Sequence, residues 1–203
     1  MAYTKILMMK EVGDAMREAQ SAYRDYTERS WSAKRDSLKP GEAIPKKGVF
    51  YDSGNREAYN NEVREQARRA HQTVAEYVSH NAKMLIKEPT EGELRAVQMF
   101  LLMEPDSMSK EDYQRRISDM MENYKESPMT YETLRTHAQK AGVYLDPHPA
   151  VKAQEAGDTI IQSIDSFFAS KILYGNQNEG GISDGEIAWM TGSIEGECSK
   201  IEG

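Results

Sequence analysis

The chain has 203 residues, 38% of them apolar, and 33 acidic side chains against 26 basic ones leave a net charge of −7. So low an apolar share suits an elongated helical protein better than one compact core, and it leaves apolar patches available to a partner. Residues 1–48 carry ten Lys/Arg against seven Asp/Glu, whereas residues 152–203 carry three against nine. That gradient argues against a general nucleic-acid binder, which needs a basic face to displace counterions from phosphates. It also lets acidic ends attract basic ends of neighbouring copies.

The first predicted element is a helix over about residues 3–38. Met9, Val12, Met16, Ala19, Tyr23 and Tyr26 follow steps of three and four, the spacing of a helix that buries a stripe against another helix. Gly13 is its weak point, costing about 1 kcal/mol relative to Ala. Lys39-Pro40-Gly41 ends it, and Pro45 and Gly48 keep the connection irregular, with Val49, Phe50 and Tyr51 as its apolar elements. Asp52 or Ser53 caps a second helix over about 55–87, whose Val63, Ala67, Ala70, Val74, Tyr77, Asn81 and Met84 repeat the pattern. The two helices form a long antiparallel, coiled-coil-like hairpin over 1–88. Tyr23 and Tyr26 are expected level with Tyr59 and Val63, with Met9 and Val12 near Val74 to Met84.

A small helical bundle over 89–174 comes next. Thr90 with Glu93 is a capping box, Ser109 caps a helix to about Tyr124, and Ser127-Pro128 opens one that ends at Gly142. Of the twelve methionines, Met84, Met99, Met103, Met120 and Met121 fall at expected contact positions. After Pro147-His148-Pro149 a last helix runs to about Tyr174, and Ile160, Ile161, Ile164, Phe167, Phe168 and Ile172 give it a stripe wide enough to need two neighbours. Residues 175–203 hold seven of the fourteen glycines and read as a flexible, acidic, Gly-rich tail that orders only against a partner. The fold class is therefore all-α: hairpin, bundle, tail. The residues expected to meet a protein partner are Phe167, Phe168, Ile187, Trp189 and Met190, with Trp189 as anchor.

No motif for chemistry accompanies these elements. His71 and His80 lie on nearly opposite faces of one helix, so they do not share a metal as an i, i+4 pair does. His148, between prolines, reads as a turn residue. No glycine run has the strand-to-helix setting of a phosphate loop, and Asp184-Gly185-Glu186 lacks the alternating oxygens of a calcium loop. The interleaved Glu62, Arg64, Glu65, Arg68 and Arg69 read as surface ion pairs. No catalytic residue, cofactor or metal is expected. The single Cys198 excludes an internal disulfide, which fits a reducing compartment. The opening residues match neither a signal peptide nor a membrane span, so a cytoplasmic product without membrane contact is the expectation.

The opening, YTKILMMKEVGDAMREAQSAYRDYTERS, resembles the start of uncharacterised helical proteins encoded in temperate phages and prophages of gut Firmicutes. The resemblance implies a phage product located in the host cytoplasm or the virion. Such a product works by contacts with itself or other phage proteins, without small-molecule substrate or direct nucleic-acid binding. The leading expectation is a non-enzymatic structural or assembly protein. The alternative is an acidic inhibitor of a host defence or nucleic-acid-processing enzyme, motivated by ten basic against twenty acidic residues over 89–203.

Overall fold

A computed structural model describes residues 4–47, 50, 53–84, 88–103, 108–174 and 181–201. Among them are seven α-helices: α1 (Lys5–Asp36), α2 (Ser53–Met84), α3 (Glu91–Leu101), α4 (Lys110–Asn123), α5 (Pro128–Lys140), α6 (Pro149–Tyr174) and α7 (Asp184–Ile201). The all-α class and the predicted helix positions hold. The expected cap by Asp52 or Ser53 and the expected roles of Val49, Tyr51 and the Met84 side chain lie outside the described residues.

The chain forms two compact units, Met1–Tyr77 with Gly157–Cys198 and Val78–Ala156 with Ser199–Gly203. This differs from the division at residues 88 and 174 expected from the sequence. The reason is that the end of the chain returns to the hairpin, while the three short helices form an insertion with a core of their own.

In the first unit, α1 starts at Thr4, whose hydroxyl accepts the Leu7 amide N–H at 3.3 Å, and Lys34 and Arg35 oppose the dipole in its last turn. Its contacts with α2 run antiparallel. The Thr73 hydroxyl donates to Glu11 at 3.2 Å, Arg69 pairs with Glu18 at 3.1 Å, and the rings of Tyr26 and Tyr59 stack at 5.2 Å. Residue numbers fall on α2 as they rise on α1, so the predicted level of Tyr23 and Tyr26 with Tyr59 is observed.

The buried face of α1 is wider than a coiled-coil seam, adding Met8, Ala15 and Gln20 to Val12, Met16, Ala19 and Tyr26, while Met9 is only half-buried. Two neighbours require two stripes. The second neighbour is α7, since the Gln20 side-chain amide donates to the Ile182 carbonyl at 3.0 Å and to Asp184 at 2.8 Å, and Lys5 pairs with Glu195 at 3.8 Å. On the other side of α2, the Tyr59 hydroxyl donates to the Lys171 carbonyl at 3.3 Å and His71 approaches Asp165 at 3.5 Å. Lys171 then pairs with Glu186 at 2.5 Å, tying α6 to α7. Each neighbour in the ring α1, α2, α6, α7 is antiparallel to the last, which is an up-down-up-down four-helix bundle.

The flexible tail expected over 175–203 is corrected by this arrangement. Residues 184–201 are helical, and Ile182, Ile187, Met190, Ile194, Cys198 and Ile201 are buried. Burial along one stripe overrides the cost of Gly185, Gly192 and Gly196, because most helix stability in proteins comes from packing an apolar face. The part of the expected tail at 175–180 and 202–203 lies outside the described residues.

Gly181 precedes α7 where a Cβ would fall 2.8 Å from the Tyr23 ring, so a side chain there would force the Tyr23–Tyr59 edge contact apart. Gly13 is different, because the nearest heavy atom to an added Cβ is the flexible end of Arg17 at 3.4 Å. Gly13→Ala is therefore expected to stabilise the protein by about 0.5–1 kcal/mol through lost backbone entropy in the unfolded chain. A higher denaturant midpoint at unchanged slope checks it.

The second unit is built as its caps predict. Thr90 and Glu93 make the reciprocal capping box, and the Ser109 hydroxyl accepts the Asp112 N–H at 3.1 Å. Gly142 takes φ +72°, with its N–H bonded to the Gln139 carbonyl and that of Val143 to the Ala138 carbonyl, the paired bonds of a Schellman motif. The core joins Val97, Phe100, Tyr113, Ile117, Met121, Leu134, Ala138 and Val143. His148 is more than a turn residue. Its Nδ1 accepts the Ala150 N–H at 3.0 Å as the N-cap of α6, and its Nε2 donates to the Lys125 carbonyl at 2.5 Å. That pairing assigns it the neutral Nε2–H tautomer.

Candidate docking groove

The expected partner-facing residues divide once placed. Ile187 and Phe168 are interior side chains of the first unit, so their apolar character is explained by the fold itself. Phe167 and Met190 are buried yet line a groove between α6 and α7, and Trp189 beside them is 71% exposed. An indole so exposed adds nothing to its own core, which makes Trp189 the one member of the five presented outward.

The groove encloses about 530 Å³. Its α6 wall runs from Thr159 to Lys171, about 18 Å at 1.5 Å per residue, and is surfaced by Ser163, Ser166 and Ser170. These small side chains keep the wall low beside Trp189. The hydroxyls of Ser163 and Ser170 are already turned to the Thr159 and Phe167 carbonyls at 2.9 and 2.7 Å.

One end of the groove is closed by an ion pair with a defined local origin. Ser183 caps α7 in a box with Glu186: the Glu186 N–H donates to the Ser183 hydroxyl at 3.2 Å, and the Ser183 N–H donates to Glu186 Oε2 at 2.8 Å. The other Glu186 oxygen receives Lys171, whose ammonium also lies 5.2 Å over the Phe167 ring. Lys171 is buried, so this pair satisfies a charge that would otherwise be costly.

Burial pushes the Glu186 carboxyl up, but the hydrogen bonds from Lys171 and from the Ser183 amide and hydroxyl outweigh it and hold the group below its ordinary 4.5. The carboxylate's contribution to stability is therefore complete above about pH 4.5 and is lost as pH falls through the lower folded-state value. Glu186→Gln is expected to melt below the parent at pH 7, with the gap closing on acidification. Thermal melts of both proteins from neutral pH to below pH 4 check the sign.

The second unit carries a smaller groove, where Met99, Met103, Phe100 and Met120 meet Arg116 and Asp119. Met121 is in the core as expected, but Met99 and Met103 are exposed, correcting their expected contact role. α3 is short, and Val97 and Phe100 are its buried residues.

Among the described residues no group of three or more His, Cys, Asp or Glu is placed to hold a metal ion. No helix among them is long and apolar enough to cross a membrane. His71 and Asp165 are both exposed, and His137 packs beside the stacked rings of Phe100 and Tyr113, where burial, helped by nearby Lys140, holds its pKa below 6.5.

The helical state of residues 184–201 was missed by sequence reading, although two signals carry it. Ser183 and Glu186 have capping-box spacing, and Ile187, Met190, Ile194, Cys198 and Ile201 recur at steps of three and four. The surrounding glycines obscured both. Comparison with protein-family models, curated proteins and solved structures finds no match to this chain.

Proposed function

We propose that this chain is a non-enzymatic phage structural or virion-assembly protein that works through protein contacts, with the α6–α7 groove as its docking surface. The observation that carries the reading is Trp189, 71% exposed beside Phe167 and Met190 on a bundle that has no use for it internally. Exposed aromatic anchors of this kind are enriched where protein surfaces bind partners. The likeness of residues 3–30 to phage-encoded helical proteins supplies the setting.

Sedimentation of a lysate from an induced phage tests the proposal. The protein is expected to travel with particles or their precursors, and Trp189→Ala is expected to leave it at the top of the gradient while its melting temperature stays within a degree or two. Absence of the parent protein from every particle fraction would sink it.

One observation favours a second reading. Residues 89–203 carry twenty Asp/Glu against ten Lys/Arg, an excess of acid of the sort that competes with phosphates for a nucleic-acid-processing enzyme. Affinity purification separates the two readings, since recovery of a nuclease or CRISPR effector supports inhibition and recovery of capsid or portal supports assembly.

A further inference from the structure

The fold treats the four histidines differently. His71 and His80 are exposed, and the buried His148 has both ring nitrogens bonded, Nδ1 to the Ala150 N–H and Nε2 to the Lys125 carbonyl. His137 is the exception. Its Nε2 is shut off from water and meets no hydrogen-bonding group among the described residues, and the same is true of the hydroxyl of Tyr113, a 2% exposed residue whose ring centre lies 6.1 Å away. Phe100 packs edge-on to the imidazole at 6.0 Å. An unpaired polar atom in such a place is costly, and a charge costs more. α5 therefore carries into the second core a group that costs least while neutral.

The groups facing His137 do not offset this. From α3 come Phe100 and Leu101 and from α4 comes Tyr113, none of which supplies a negative charge at ordinary pH. On α5 itself Lys140 opposes a second positive charge, and the Glu132 carboxylate is engaged by Arg135 and by the His148 N–H, each at 2.6 Å. The aromatic faces attract a cation, but burial, with Lys140, outweighs them and keeps the imidazole below its ordinary 6.5. Beside the ring lies an open hollow of about 500 Å³, lined by Leu101, Thr133 and Thr136, which gives it a way out to water.

We propose that His137 is a proton-operated latch of the second unit: taking up a second ring proton drives the imidazole out of the Phe100–Tyr113 cluster into the hollow and loosens α5 from α3 and α4. The neutral side chain contributes its full stability above about pH 6.5, the unfolded-state value, and loses it as pH falls from there to the lower folded-state value. The first unit is spared over this range. Its one histidine, His71, is exposed, and the Glu186 contribution is complete above about pH 4.5.

Methyl NMR of the full chain, titrated from about pH 7.5 to about pH 5, tests the latch. Ile117 and Leu134 report the second core, and Ile164 and Ile194 report the first. The Ile117 and Leu134 signals are expected to reveal an open form whose population grows as pH falls below 6.5, by at most about tenfold per pH unit for one proton, while those of Ile164 and Ile194 hold still. The His137 ring signals should titrate below pH 6.5. His137→Phe and His137→Gln both fill the site without a titrating group, and each is expected to abolish the response. The Gln variant decides the matter if the larger Phe ring does not fit.

A second core unchanged down to about pH 5 would overturn the proposal. So would both cores responding together, a His137 ring titrating at or above pH 6.5, or a response that persists in whichever variant folds.

Discussion

A chain ended after residue 180 is expected to lose the cooperative unfolding of its first unit, not merely a binding segment. Ile182, Ile187, Met190 and Ile194 are buried there, and at about 1.5–3 kcal/mol for each large apolar side chain their removal forfeits roughly 6–12 kcal/mol of gross burial. Whole domains are stable by only about 5–15 kcal/mol. The loss also strips the Gln20 amide of both its acceptors and separates Lys171 from Glu186. Thermal melts followed at 222 nm read the result, and a truncated chain with the parent's midpoint would mean that α7 is dispensable. Trp189→Ala is the contrast, expected within about 0.5 kcal/mol of the parent because the side chain is on the surface.

Val74→Asp is the second large effect. Val74 is 0% exposed on α2, one residue beyond Thr73, whose hydroxyl bonds Glu11 of α1. A carboxylate there would enter the buried face of α2. An unpaired buried charge costs several kcal/mol, about 3–5 by comparison with broken buried ion pairs. Urea denaturation should show a much lower midpoint or no folded baseline, and an unchanged midpoint would mean that the α2 face is not buried.

Much of this architecture is legible in the sequence because its determinants are local. Thr90 and Glu93, Ser109, and the Gly142 turn satisfy backbone groups within a few residues of themselves, so their spacing alone marks the helix ends. The antiparallel hairpin is legible for a related reason. One Pro/Gly break between two long periodic helices leaves few other ways to bury both stripes.

The groove was legible only in part. Trp189 and Phe167 stand out by composition, but nothing near them in the chain separates Trp189 from Phe168, which is fully buried on the adjacent helix. Both are aromatic residues in amphipathic segments. Their fates differ because Phe168 points toward the interior of the bundle while Trp189 lies one step around α7 from Met190, on the rim.

The first six helices, the ends set by their caps, and the pairing of α1 with α2 were thus determined by the sequence alone, through caps that close over three or four residues and apolar stripes at helical spacing. Tertiary structure decided that residues 184–201 are a helix at all, that the bundle has four members, and which aromatic side chain faces water. The deciding contacts join residues far apart in the chain: Gln20 with Ile182 and Asp184, Tyr59 with the Lys171 carbonyl, Lys5 with Glu195. A glycine-bearing segment becomes helical when a waiting apolar cleft repays its backbone entropy, and only the folded arrangement of α1 and α6 creates that cleft.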